Sequence, residues 1–421
     1  MKQDHSVLQA ELNQRTATGA MGDKTTLDKV CRRFVLSSLS KFPIGSMKIV
    51  EPDGSEVSIG TGTPAAALRI SDWRAYRMLF TGGGLGAGEA YMEGLWASDD
   101  LVEVVRYFAV NVVPMQQLDG GLARLAKPVR AFLHTMNRNS VRGSKRNISA
   151  HYDLGNDFFS LFLDPTMMYS SAMYTNAEMS LEEASLEKLE RICQKLALRP
   201  EHHLLEVGTG WGGMAIYAAR HYGCKVTTTT ISQEQYEFAK AAVKREGLEN
   251  LVTVLDQDYR ELTGVYDRVV SIEMVEAVGH HFLPTYFQSL QNMLKPDGLM
   301  LIQAITIPDQ RYDFALRNVD FIKRYIFPGG FLPSVSELCR NVATHTQWVV
   351  QDVEDIGLDY AMTLYDWRER FLEKLDTVKK QGFDKRFCRM WDYYLAYCEG
   401  AFRERAISTV QMVMAAPQWR P

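Results

Sequence analysis

The sequence has no run of about 18 uninterrupted apolar residues, so no segment is expected to cross a membrane as a helix. Cysteine is scarce: Cys31, Cys193, Cys224, Cys339, Cys388 and Cys398 are scattered, with no CxxC pair. That pattern points to neither a zinc site nor a disulfide framework and suits a reducing cytosol. An excess of one charge is also missing. There are 47 Lys and Arg against 51 Asp and Glu, a formal net charge of −4. A polyanion-binding role for the whole molecule is thereby excluded, and only a local basic patch remains open. Internal repeats and low-complexity segments are absent. The N-terminal MKQDHSVLQAELNQRTATG lacks an apolar core behind a basic start, so residues 1–24 read as a flexible lead rather than a secretory signal.

What is there is an ordinary globular composition, 46% hydrophobic and 23% charged over 421 residues. At about 150 residues per domain, two or three domains are expected. Residues 25–121 mix strand-like runs, such as SMKIVEPDGSEVSIG with a turn at Asp53-Gly54, with helical segments. Between Leu122 and Asn147 the bases Arg124, Lys127, Arg130, Arg138, Arg142, Lys145 and Arg146 occur with no acid from Asp119 to Asp153. Leu122, Leu125, Val129, Phe132, Leu133 and Met136 lie among them at roughly helical spacing. This connector reads either as a solvated helix face or as an anchor to anionic lipid, where each base contributes about 1 kcal/mol.

From residue 148 onward, short apolar runs alternate with amphipathic ones: LLEV, MAIYAARHYG, KVTTTTI, QEQYEFAKAAVKREG, LVTVLDQD, DRVVSIEMV, FLPTYFQSLQNMLK and GLMLIQAITI. The alternation predicts a doubly wound α/β sheet. The residues after Leu364 read as mostly helical. LLEVGTGWGG places Gly208, Gly210, Gly212 and Gly213 between a strand and a helix start, with Glu206 at the strand end. Glycines allow a tight turn and close approach of a ligand to the backbone. G-x-G-x-G-G with an adjacent acid suits S-adenosylmethionine, whose cationic ammonium and sulfonium favour a carboxylate. The next strand ends without the acid usual for ribose binding. It offers Thr230, Ser232 and Gln235 instead, and the third strand ends in Gln257-Asp258-Tyr259, with an acid and an aromatic for an adenine edge and face. His280 and His281 lack partner acids at metal-ligand spacing, and no metal site is expected.

HYDLGNDFFSLFLDPTMMYSSAMY (151–174), LEVGTGWGG, TISQEQ, SIEMVEAVG (271–279), KRYIFPGGFLPS (323–334) and DYAMTLYDWRERF (359–371) together resemble the cyclopropane fatty acid synthase family, in order and spacing over residues 145–405. GLGAGEAYMEGLW is similar to the N-terminal domain of its full-length bacterial members. The resemblance implies a class I methyltransferase sheet with helical additions (148–421) behind a smaller mixed α+β, lipid-associated domain. It also implies methyl transfer from S-adenosylmethionine to a cis double bond of a phospholipid acyl chain, by way of a carbocation that closes to a cyclopropane. The expected enzyme is cytoplasmic and visits the inner face of the membrane peripherally; a homodimer is possible within that picture. Tyr169 and Ser170 match residues lining the cofactor, and Glu276 matches the acid near the reacting centre. Ile305 and Tyr360 match two members of a group that holds a bicarbonate ion as proton acceptor. The family completes that group with Cys and His, and here Ser171 and Gln303 stand instead. Neutral Ser and Gln still offer hydrogen bonds, but Gln cannot shuttle protons as His does. The alternative outcome is therefore a methylene or methyl-branched acyl chain, with a reductase partner if the product is a methylene.

Overall fold

A computed structural model describes residues 24–113 and 154–421. The 122–147 connector, the N-terminal lead and the HYD that opens the first family motif lie outside the described residues. The described residues form two compact units that interleave along the chain. One contains 24–113, 318–326 and 364–406, and the other contains 154–317, 327–363 and 407–421.

In the first unit, Thr25 opens α1 (Thr26–Leu39) with a reciprocal capping box through Asp28. β1 (Gly45–Val50) and β2 (Glu56–Thr61) pair antiparallel around the Asp53-Gly54 turn, where Gly54 takes φ +82°. β3 (Ala65–Ile70), α2 (Arg74–Met92), β4 (Trp96–Ala97) and α3 (Leu101–Val110) complete it, with sheet order β2-β1-β3-β4.

In the second unit a helical turn at Asn156–Phe159 is followed by α4 (Leu181–Lys195), β5 (His203–Val207), α5 (Gly213–Tyr222), β6 (Lys225–Thr230), α6 (Gln233–Arg245) and β7 (Val252–Asp256). β8 (Tyr266–Ile272), α7 (Leu283–Met293), β9 (Leu294–Thr306), α8 (Val335–His345) and β10 (Val349–Asp355) follow. The chain then runs through α9 (Gly357–Glu373) and α10 (Lys385–Arg403) to β11 (Ser408–Ala415). The sheet order is β10-β11-β9-β8-β5-β6-β7, and β11 alone runs antiparallel to its neighbours. This is the doubly wound α/β architecture expected. Successive strand residues face opposite sides. Leu205, Val207, Val269, Met300, Ile302 and Met412 enter one apolar core, while Leu204, Val270, Leu301 and Val413 enter the other. Both faces are covered, which explains why the strands read as continuous apolar runs.

The residues after Leu364 are mostly helical, as expected, and end in STVQMVMA as β11, whose two faces are both buried and so carry no alternation. The division into units differs from a single domain over 148–421. Residues 318–326 and 364–406 belong to the first unit. The cause is long-range. The Tyr91 hydroxyl donates to Asp392 at 2.6 Å, and Arg389 donates to the carbonyls of Tyr91 and Trp96. Gly88 leaves room for Phe321 and Tyr393 to touch α2. No local pattern reports partners three hundred residues away.

Among the described residues, no helix is long and apolar enough to cross a membrane. Strand order reverses beside β5, so the crevice at the C-terminal ends of β5 and β8 is where this architecture receives a ligand.

Candidate active site

The turn after β5 uses three left-handed positions, Gly208 (φ +102°), Gly210 (+52°) and Gly212 (+93°), to deliver the chain into α5. A Cβ on Gly213 would lie 2.6 Å from the Thr166 carbonyl, so that glycine serves packing. A Cβ on Gly210 would meet nothing within 4 Å, and the space over the loop is open. Beside it, Glu206 is 2% exposed and accepts from the Thr228 hydroxyl at 2.6 Å. Burial pushes its carboxyl up to about 8, against the pull of Thr228 and Lys188. A buried acid next to a glycine loop open at Gly210 fits the ammonium end of S-adenosylmethionine, while Gly208 lies against Met274.

The remaining cofactor residues expected from sequence gather at the ends of β6 and β7. Ser232 caps α6 through the Gln235 N–H, and the Thr230 hydroxyl donates to Gln235 Oε1 at 3.0 Å while accepting from Ser232 N–H. These three groups are engaged with one another, which fixes the start of α6. Gln257 donates to the Glu261 carbonyl, and Asp258 grips Arg260 at 2.5 and 2.8 Å. The Asp258 carboxylate is thus held in place as half of an ion pair. Tyr259 packs edge-on against Tyr286, with ring centroids 5.6 Å apart.

Across the crevice, Tyr169 stands among Phe159, Phe162 and Phe327 at 5.2–6.4 Å between centroids, and Trp211 lies 5.0 Å from Phe159. This is an apolar, aromatic wall. The Ser170 hydroxyl accepts from Lys188, a fully buried lysine on α4, at 2.8 Å. Burial pushes the Lys188 ammonium down to about 8, while Glu273, Asp164 and Glu206 hold it up.

Ser171, Gln303 and Tyr360 do come together, but around a residue that sequence reading missed. Glu273 Oε1 accepts from the Ser171 backbone N–H at 2.9 Å and from Gln303 Nε2 at 2.8 Å, and its Oε2 accepts from the Tyr360 hydroxyl at 2.8 Å. Gln411 on β11 donates to Gln303 Oε1 at 3.0 Å, which turns the Gln303 amide N–H toward Glu273. The Ser171 hydroxyl is turned away to the Ala172 carbonyl, so this residue contributes its backbone only. Glu276 Oε1 accepts from the Ile305 N–H at 2.5 Å, and Oε2 has no protein partner. Burial and the neighbouring Glu273 push the Glu276 carboxyl up to about 8. Burial raises Glu273 as well, opposed by Gln303, the Ser171 N–H, Lys188 and Tyr360.

The donors that the family resemblance assigns to a bicarbonate ion are thus engaged by two glutamates, and a bicarbonate ion does not fit among them. Signals for the missed residues existed. Glu273 is an acid immediately beyond a buried strand, and Lys188 falls on the buried stripe of α4 with Leu181, Ala184, Ser185, Leu189 and Ile192.

The signature of the family described as mycolic acid cyclopropane synthetase matches residues 139–412. The chain is 38% identical over 370 residues to a tuberculostearic acid methyltransferase of Mycobacterium tuberculosis, covering 85% of this chain and 86% of that one. It is 39% identical over 359 residues to the cyclopropane-fatty-acyl-phospholipid synthase of Escherichia coli K12, covering 84% and 89%. The solved mycolic acid cyclopropane synthase CmaA1, complexed with SAH and CTAB, superposes with a TM-score of 0.61 at 31% identity, over 64% of this chain and 98% of that one. By this match over most of its length, the chain belongs to the mycolic acid cyclopropane synthetase family and is an S-adenosylmethionine-dependent methyltransferase of unsaturated lipids.

Proposed function

We propose that this enzyme methylates a cis double bond in an acyl chain of a membrane phospholipid and releases an open-chain methylene or methyl-branched product rather than a cyclopropane. The observation that carries the reading is the Glu273 carboxylate, held by Ser171, Gln303 and Tyr360 where family resemblance expects a free anion beside Cys and His. S-adenosylmethionine, when bound, supplies an electrophilic methyl group on a sulfonium. An alkene needs no base to attack it. The new C–C bond forms as the S–CH3 bond breaks, and positive charge passes to the acyl chain. The chain's part is to accept that charge without letting water reach it. Tyr169, partly accessible, offers an aromatic ring to a cation, and Glu276 and Glu273 offer oxygens. The cation then loses a proton from an adjacent chain carbon, or from the methyl group after a hydride shift. The C–H electron pair becomes the product double bond in either case.

The tuberculostearic acid methyltransferase, which this chain matches nearly end to end, supports an acyl methylation. Fungal sphingolipid C9-methyltransferases, 28–30% identical over 64% of the chain, agree with it. Substrate class is tested by incubating the purified protein with S-adenosylmethionine labelled in the methyl group and vesicles of saturated, cis-unsaturated or trans-unsaturated phospholipid. Label entering the cis-unsaturated lipid supports the reading. Equal labelling of saturated lipid, or none of any lipid, overturns it. The lipid-surface part of the proposal rests on the basic 122–147 stretch. The protein is expected to sediment with anionic vesicles and to be released as salt rises; salt-independent sedimentation removes it.

A further inference from the structure

We infer that the Glu273 carboxylate is the proton acceptor of this reaction, and that the enzyme needs no free anion at that place. The inference rests on the methylation reading above, but not on which product forms.

Four observations converge. First, three donors from three separate elements meet on one carboxylate: the Ser171 N–H, Gln303 on β9 and Tyr360 on α9. Ser171 and Gln303 are fully buried and Tyr360 is nearly so. Glu273 and Glu276 themselves are half-buried. Second, Glu273 sits at φ +47°, in the left-handed region that favours glycine, with its N–H donating to the Gln303 carbonyl at 2.7 Å. A non-glycine residue held there is strained, and such strain collects at functional sites. Third, the two departures from the family pattern are the complement of this carboxylate. Gln303 is a neutral donor whose orientation is fixed by Gln411, and Ser171 presents its backbone. Fourth, Glu276 occupies the Ile305 N–H, so the donors that would hold a free anion are engaged by residues of the chain.

The step balances within the chain and its lipid. A C–H bond of the cationic acyl chain breaks, its electron pair forms the new carbon–carbon bond, and the proton bonds to a Glu273 oxygen. It returns to solvent before the next turnover.

The test uses the full chain. Methyl transfer by the wild type is measured in buffer stripped of carbon dioxide and then with bicarbonate restored to millimolar levels. Glu273→Gln is assayed alongside, and its S-adenosylmethionine affinity is measured by calorimetry to establish that the site is folded. Wild-type turnover is expected to stay within about twofold with and without bicarbonate. Glu273→Gln is expected to lose about a hundredfold or more of turnover, the range of a general base, with cofactor affinity retained. In Glu273→Gly, formate or bicarbonate is expected to restore part of the lost rate by entering the vacated place. A tenfold fall of the wild type on bicarbonate removal overturns the inference even if a variant fails to fold. So does a Glu273→Gln enzyme with more than a third of normal turnover. Total label transferred is the readout here, so a ring-shaped product would overturn the open-chain reading and leave this one standing.

Discussion

Glu276 keeps one oxygen without a protein partner while the other accepts the Ile305 N–H. That arrangement separates chemistry from folding. In Glu276→Gln the amide oxygen still accepts from Ile305, so the thermal midpoint is expected to move little while turnover falls about a hundredfold. Parallel melting and rate measurements check this, and near-normal turnover would make Glu276 a structural acid. Glu206 carries a pH signature. Burial lifts its carboxyl to about 8, whereas a cationic ammonium favours the ionised form. Binding below that pH therefore expels a proton. Affinity for S-adenosylmethionine is expected to rise by up to about tenfold per pH unit between pH 6.5 and 8 and then level off. Calorimetry across that range reads it, and a flat profile would mean Glu206 does not meet the ammonium. At this scale Glu276, Tyr360, Gln303 and the glycines were legible, because motif position carried them. Glu273 was not, because its partners come from three distant elements. Ser171 was legible as a position but not as a backbone donor, since the direction of a hydroxyl is set by the fold.

Elements explain why the glycine loop reads so clearly. A strand, three left-handed residues and a helix start are all local, and local geometry is what residue types specify. Gly210 combines a positive φ with open space, whereas Gly213 faces the Thr166 carbonyl. Gly210→Val is thus expected to fold with a cost of about 1–3 kcal/mol of backbone strain and to lose S-adenosylmethionine binding, because its side chain enters the ligand's space. Retained binding in calorimetry would move the cofactor off this loop. β11 was illegible for the opposite reason. Both of its faces are buried, so its pattern lacks the alternation that marks a strand, yet it delivers Gln411 to Gln303.

At the scale of the molecule, the sequence divides where the fold does not. α10 belongs with the first unit because Asp392 joins Arg368 at 2.7 Å and Tyr91 at 2.6 Å in a buried cluster. Asp392→Ala removes a buried carboxylate from the mostly buried Arg368 guanidinium and is expected to cost about 3–5 kcal/mol, seen as a lower denaturation midpoint; a loss under 1 kcal/mol would mean the pair is dispensable. The net charge of −4 says nothing of any of this, since it averages a local basic run with acids elsewhere. In the proposed account a methyl donor and an unsaturated lipid meet beside Glu273 and Glu276. The most direct measurement of that account is the structure of its product. The enzyme is incubated with S-adenosylmethionine carrying a carbon-13 methyl group and vesicles of cis-unsaturated phospholipid, and the acyl chains are examined by nuclear magnetic resonance. The label is expected as a methylene or methyl carbon on an open chain, and label in the upfield signals of a cyclopropane ring would contradict the account.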